Sequence, residues 1–178
     1  LKNHGYYRVE EDGVTTSVIS ADNGVFQFYP PAQAGGQWEI KQLLDAAASD
    51  AVLVDLDGDG EMELTTISPF HGAKISMYKK NAGKFEEVYT YEKSAEFSHS
   101  IFGGMLAGKP TVVIGHRQGE RNLIAFTWDQ ASASYQAEIL DRDCGSANVF
   151  KDTQGENDVI ISTNREIDEI VMYTLKED

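Results

Sequence analysis

Asp55-Leu56-Asp57-Gly58-Asp59-Gly60-Glu61-Met62-Glu63-Leu64 is the most informative stretch of this 178-residue chain. Its second glycine belongs to a series. Gly13, Gly60, Gly108 and Gly155 follow one another at steps of 47, 48 and 47 residues. The same steps carry Ile19 onto Thr66, Ile114 and Ile161 with no gap, and each of these closes a short β-rich run, at 17–19, 64–66, 112–114 and 159–161. A fixed period of this length is the mark of a repeat architecture and outranks any single predicted element.

The rest of each unit agrees. A polar, turn-forming patch follows every run: Ala21-Asp22-Asn23-Gly24, Pro69-Phe70-His71-Gly72, His116-Arg117-Gln118-Gly119 and Thr163-Asn164-Arg165. An apolar run ending in an aromatic comes next, at 25–29, 75–78, 123–128 and 170–173. Three units add a further run, at 38–44, 85–91 and 135–140, and a run precedes every glycine, at 6–9, 51–54, 100–102 and 148–150. Residues 40–48 have some helical propensity, but 38–41 alternates as a strand does, so this stretch reads as an outer strand plus a connection. Trp38 and Trp128 fall in strand positions and read as core. Four short strands in about 47 residues is the pattern of a propeller blade. The prediction is therefore an all-β fold, a β-propeller of four-stranded antiparallel blades. Its units are 1–46, 47–94, 95–141 and 142–178 in a single region, 1–178. The competing reading, a β-sandwich with chance spacing, must explain four features in register at once. The fourth unit stops at Lys176-Glu177-Asp178 without an outer strand. The expectation is that the four blades are the C-terminal part of a longer chain, with upstream blades closing a larger ring.

Composition narrows the function. With 15 Lys and Arg against 29 Asp and Glu, net charge −14, the chain lacks the basic stripe that nucleic acid requires. The same charge disfavours anionic membrane surfaces, and no run approaches the roughly 20 apolar residues of a membrane-spanning helix. The single cysteine, Cys144, permits no intramolecular disulfide and reads as an inert small residue. No P-loop, dinucleotide fingerprint, nucleophile elbow or HExxH motif is present.

The acidic stretch is the one strong chemical motif. Alternating side chains in a tight loop aim Asp55, Asp57 and Asp59 at one point. Gly60 allows the turn that brings the Glu61 carbonyl round, and Glu63 closes the shell. Hard cations want six to eight such oxygens at loose geometry, so Ca²⁺ is expected, with Mg²⁺ the second option. Unpaired, the carboxylates would repel. An EF-hand needs its bidentate acid at position 12, which here is Thr66, between β-rich flanks. The other units lack the set: Arg8, Glu10, Asp12 and Thr16 in the first, Gly103, Met105, Ala107 and Thr111 in the third, Phe150, Asp152, Gln154 and Asp158 in the fourth. The cation is thus expected to be structural.

Two further groups are candidates for ligand binding. His4 and His99 occupy one repeat position at the start of inner strands, which line a propeller's axis. They could share a metal or a polar ligand, or simply be satisfied by backbone groups. His71, His116, Arg117 and Arg165 lie in the turns after the second strands, with Asp22, Asn23, Phe70, Arg121 and Asn164. Guanidinium groups there suit carboxylates, phosphates or sugar hydroxyls, although solvated turn chemistry explains the same residues.

The loop with its acid at position 9 resembles those of FG-GAP/VCBS repeats, and the resemblance extends over the chain as a repeat. Such propellers resemble those of integrin heads, lectin-like proteins and large bacterial surface proteins. The resemblance implies a calcium-stabilised binding scaffold for a carbohydrate, another small molecule or a protein partner, with extracellular or cell-surface placement ahead of cytoplasmic. A second resemblance is in style only. His99-Ser100-Ile101-Phe102-Gly103-Gly104 with Gly115-His116-Arg117 is similar to the propeller region of aldos-2-ulose dehydratase-like proteins. It implies the alternative, a carbohydrate-active lyase or dehydratase using channel histidines and a divalent metal. The scaffold is placed first, and a transition metal on the histidines would reverse that order.

Overall fold

The computed structural model describes residues 2–11 and 13–174. It is all-β apart from one 3-10 turn, Arg165–Ile167. Blade 1 is β1 (Asn3–Glu11), β2 (Val14–Ala21), β3 (Gly24–Tyr29) and β4 (Glu39–Leu44). Blade 2 is β5 (Asp50–Val54), β6 (Glu63–Ser68), β7 (Lys74–Asn81) and β8 (Lys84–Thr90). Blade 3 is β9 (Ser98–Leu106), β10 (Lys109–His116), β11 (Leu123–Asp129) and β12 (Ser134–Asp141). Blade 4 is β13 (Ser146–Gln154), β14 (Asn157–Asn164) and β15 (Glu169–Thr174). Each blade is an antiparallel meander in sequence order, four-stranded in blades 1 to 3 and three-stranded in blade 4 among the described residues. The predicted blades are therefore present, and residues 40–44 are strand rather than helix. The end of the chain at Lys176-Glu177-Asp178, on which the missing outer strand was argued, lies outside the described residues, as does Asp12.

The periodic glycines now have a cause. Gly13, Gly60, Gly108 and Gly155 all have positive φ, between +64° and +91°, in the connection from first to second strand. In blade 3 the connection is two residues, Ala107 and Gly108, both at positive φ (50° and 74°). That is the backbone of a tight hairpin turn matched to strand twist, and glycine adopts it at least cost. Blade 2 replaces this turn with the longer acidic loop.

Period-2 alternation sends successive side chains to opposite neighbours. On β5, Ala51 and Leu53 join Val9, Val18, Val25 and Leu64 between blades 1 and 2. Val52 and Val54 join Ile75, Met77, Val112, Ile114 and Phe126 between blades 2 and 3. On β10, Val113 turns the other way, to Leu123, Cys144, Val149 and Ile160 between blades 3 and 4. Blades 2 and 3 are thus buried on both faces. Blades 1 and 4 are each buried on one, and their other faces are apolar: Tyr6, Trp38 and Ile40 on blade 1, Phe150, Ile170 and Met172 on blade 4, all at least 48% exposed. Trp38, expected in the core, therefore sits just ahead of β4 on an open face. Cys144 is buried, its thiol donating to the Arg121 carbonyl at 3.3 Å.

Near the axis the inner strands approach closely. A Cβ on Gly103 of β9 would lie 2.8 Å from Val54 Cγ2 and 2.9 Å from Val52 Cβ. The Tyr7 hydroxyl crosses from blade 1 to donate to the Gly103 carbonyl at 3.0 Å. Gly103→Ala is expected to destabilise the chain by about 1–3 kcal/mol, since two branched side chains must move and overpacking carries that penalty. Urea unfolding of the variant measures it; an unchanged midpoint would mean the seam between blades 2 and 3 is loose.

Candidate metal centre

In an antiparallel meander, the start of the first strand and the second turn lie at the same end. This places His4 (β1), His99 (β9) and the β6–β7 turn with Phe70 and His71 on one end of the blades. The acidic loop, joining the far ends of β5 and β6, lies at the other.

At the histidine end His4 and His99 lie side by side, and His71 joins them. One ring nitrogen from each of the three lies within 4.8 Å of the other two, and His71 Nε2 is 3.1 Å from His4 Nε2. The ring centroids are 4.8 to 5.7 Å apart. His4 Nδ1 is 3.2 Å from the Ser49 carbonyl and His99 Nδ1 2.8 Å from the Ala147 carbonyl. A carbonyl only accepts, so in each neutral ring Nδ1 carries the proton and Nε2 keeps its lone pair. Backbone satisfaction therefore accounts for one nitrogen of each ring and leaves the other directed at the cluster. His71 must then donate from Nε2 to His4. Its backbone is left-handed (φ 48°), a conformation uncommon outside glycine, held on the turn ahead of Gly72. Burial, the nearby imidazoles of His4 and His99, and then Lys2 hold the His71 pKa below the ordinary histidine value. Phe70 stacks on His71 (centroids 4.3 Å) and Phe97 meets it edge-on (4.8 Å). Lys2 lies over Phe70 and Arg117 over Phe97.

None of the other predicted ligand residues joins the imidazole group itself. His116 is buried; Nδ1 bonds the Gln118 carbonyl at 2.8 Å and Nε2 accepts from the Asn122 N–H at 3.0 Å. Both nitrogens thus organise its own turn, and burial lowers its pKa. Arg117 donates twice to Glu166, at 2.9 and 2.7 Å. Arg165 is exposed, 3.9 Å from the same carboxylate.

Asp50 was not legible as a site residue. It opens β5, between the strands carrying His4 and His99, one residue before the repeat position the histidines occupy. Its carboxylate presses on Gly5, where a Cβ would lie 2.3 Å from Oδ1. Burial raises its pKa to about 7, against the pull of the Ala51 N–H.

At the opposite end Asp55 accepts from the Gly58 and Gly60 N–H groups at 2.8 and 3.0 Å. Glu63 is fully buried, accepting from the Leu56 N–H at 2.6 Å and the Tyr135 hydroxyl at 3.2 Å. Burial raises the Glu63 pKa; the Leu56 N–H pulls it back, and the charge of Asp57 pushes it up again. Asp55, Asp57 and Glu63 offer oxygens within 4.8 Å of one another. Asp59 and Glu61 are exposed, the Glu61 N–H donating to Asp59 at 2.9 Å. The Lys79 ammonium, absent from the sequence-based set, contacts Asp57, Asp59 (2.7 Å) and Glu63 (3.3 Å).

No protein-family model matches the chain, and no curated protein matches it. Among solved structures it is similar to a Bacteroides uniformis protein provisionally named a 6-phosphogluconolactonase, with a TM-score of 0.67 and 12% identity over 98% of this chain. The chain spans about half of that structure, 51% of its length. The likeness establishes the fold. The FG-GAP/VCBS resemblance rests on the repeat and the loop alone.

Asp50 gives a pH-dependent test of the seam between blades 1 and 2. Its folded pKa, about 7, lies above its unfolded value of about 4. The native state therefore holds a proton that the unfolded chain releases. The resulting stability is full below about pH 4 and is lost as pH rises through about 7. Thermal melts of wild type and Asp50→Asn across this range are expected to diverge, wild type falling relative to the variant. Parallel curves would place Asp50 in solvent.

Proposed function

We propose that this propeller module binds a divalent transition metal, of the Zn²⁺ class, at His4, His71 and His99, and through it an oxygen-bearing small molecule. The observation that supports this is the convergence of three imidazoles, two of them oriented by backbone carbonyls through Nδ1. Metal-ligating histidines almost always donate their other N–H in this way. Tetrahedral Zn–N bonds of 2.0–2.1 Å put ligand nitrogens about 3.3 Å apart. The His4–His71 separation of 3.1 Å is already of that size, and His99 has little more than a side-chain adjustment to make. Three histidines leave one position open, the arrangement of catalytic rather than structural zinc.

This favours the enzyme alternative over the passive scaffold. The rim around the open position combines the rings of Phe70 and Phe97 with Lys2 and Arg117, in a chain that is acidic overall. Aromatic faces with cationic groups beside them suit a sugar-like hydroxy or carbonyl compound, the substrate class of the lyase resemblance. The metal would polarise a ligand oxygen bound in the fourth position.

Elemental analysis after equilibration with micromolar Zn²⁺ and dialysis is expected to give one Zn²⁺ per chain. The His4→Ala/His99→Ala double variant and His71→Ala should lose it, while Asp57→Ala/Asp59→Ala keeps it. Wild type that retains no transition metal would overturn the proposal.

We also propose that the arc belongs to a larger ring. The apolar outer faces of blades 1 and 4 support this, as does the neighbour of twice the length. Exposed apolar patches of this kind mark contact surfaces. The 178-residue chain alone is expected to self-associate with concentration in sedimentation, and Trp38→Arg/Ile40→Lys to reduce this; a stable monomer would argue that the faces stand open by design.

A further inference from the structure

We infer that Lys79 is the resident cation of the acidic loop, so that the blade 2 knot closes on the chain's own ammonium without a metal. An ammonium has three N–H donors and no acceptor. Lys79 donates to Asp57 and to Asp59 at 2.7 Å, and its ammonium pairs with the Glu63 carboxylate at 3.3 Å. Each of the four carboxylates expected as ligands, Asp55, Asp57, Asp59 and Glu63, then has a partner from the protein. Asp55 takes the N–H groups of Gly58 and Gly60, and Glu63 adds Leu56 and Tyr135.

The placement follows from topology. Lys79 is on β7 beside β6, which begins with Glu63. It follows Tyr78, which packs toward blade 1, so alternation turns Lys79 to the blade 3 side. Blade 3 closes over it there. The Tyr135 hydroxyl reaches Glu63, and Gln130 Nε2 donates to the Asp57 carbonyl at 2.7 Å. A carboxylate as buried as Glu63 is costly without a compensating charge. Ca²⁺, the cation expected from the loop's sequence, would have to displace this ammonium. The inference concerns the opposite end of the blades from the histidines and stands or falls independently of them.

The test compares melting temperatures of the full chain in EGTA and in millimolar Ca²⁺, for wild type, Lys79→Met and Lys79→Met/Glu63→Gln. The expected result is a wild-type melting temperature that is the same in both buffers and a fall of several degrees for Lys79→Met in EGTA. The double variant should recover part of that fall, because removing the buried carboxylate removes the need for its counter-charge. A wild-type chain that loses stability in EGTA would overturn the inference, as would a Lys79→Met chain as stable as wild type in EGTA. Should Lys79→Met not fold, the wild-type comparison of the two buffers still decides the question.

Discussion

Face-to-face packing of the inner strands is the constraint on which the other features depend. Each blade is a twisted sheet too small to be stable alone, and it gains stability only by burying a face against its neighbour. Near the axis there is room for backbone and little else. Gly5 lies on Asp50, Gly103 on Val52 and Val54, and Gly115 on Ser100 and Ser146. Because these strands approach so closely, the first residues of β1 and β9 come together across the start of β5. Histidines 95 positions apart then share one small volume. The centre is a consequence of the packing, and no local motif encodes it.

That explains what could be read from the chain and what could not. Strand positions were legible because alternation and turn chemistry are local, and because the left-handed glycine of each first hairpin repeats. The pairing of His4 with His99 was legible because repeat arithmetic converts sequence distance into equivalent position. His71 was assigned to its turn, but nothing in the period shows that this turn folds over the axis. Lys79 escaped for a related reason: no counterpart in the other blades marks it, and only the β6–β7 register carries it to the loop. Trp38 was misplaced because a strand aromatic reads as core, whereas the face of blade 1 it occupies has no neighbouring blade among the described residues.

The two ends of the arc differ in electrostatic character as well as in composition. At the histidine end three imidazoles sit among aromatic rings, with Lys2 and Arg117 alongside. Imidazole nitrogens are electron-pair donors, so a site built from them suits a borderline cation and does not need carboxylates. At the other end the charge is carboxylate, and the partner must be a hard cation or an ammonium. A protein of net charge −14 thus separates a nitrogen site from an oxygen site by the length of one strand.

Blade 2 links them mechanically. Strand β6 starts at Glu63, in the knot with Lys79 and Tyr135, and ends at Ser68, three residues before His71. All of it except Ser68 is buried, so it is clamped between blades 1 and 3 and has little freedom to slide or tilt. The position of the His71 turn is then set by a strand whose other end is fixed at Glu63. A structural role for the knot and a chemical role for the histidines are compatible in this arrangement. Fixing one end of a buried strand preorganises the turn at the other, and a preorganised third imidazole would not have to be ordered on binding the proposed metal.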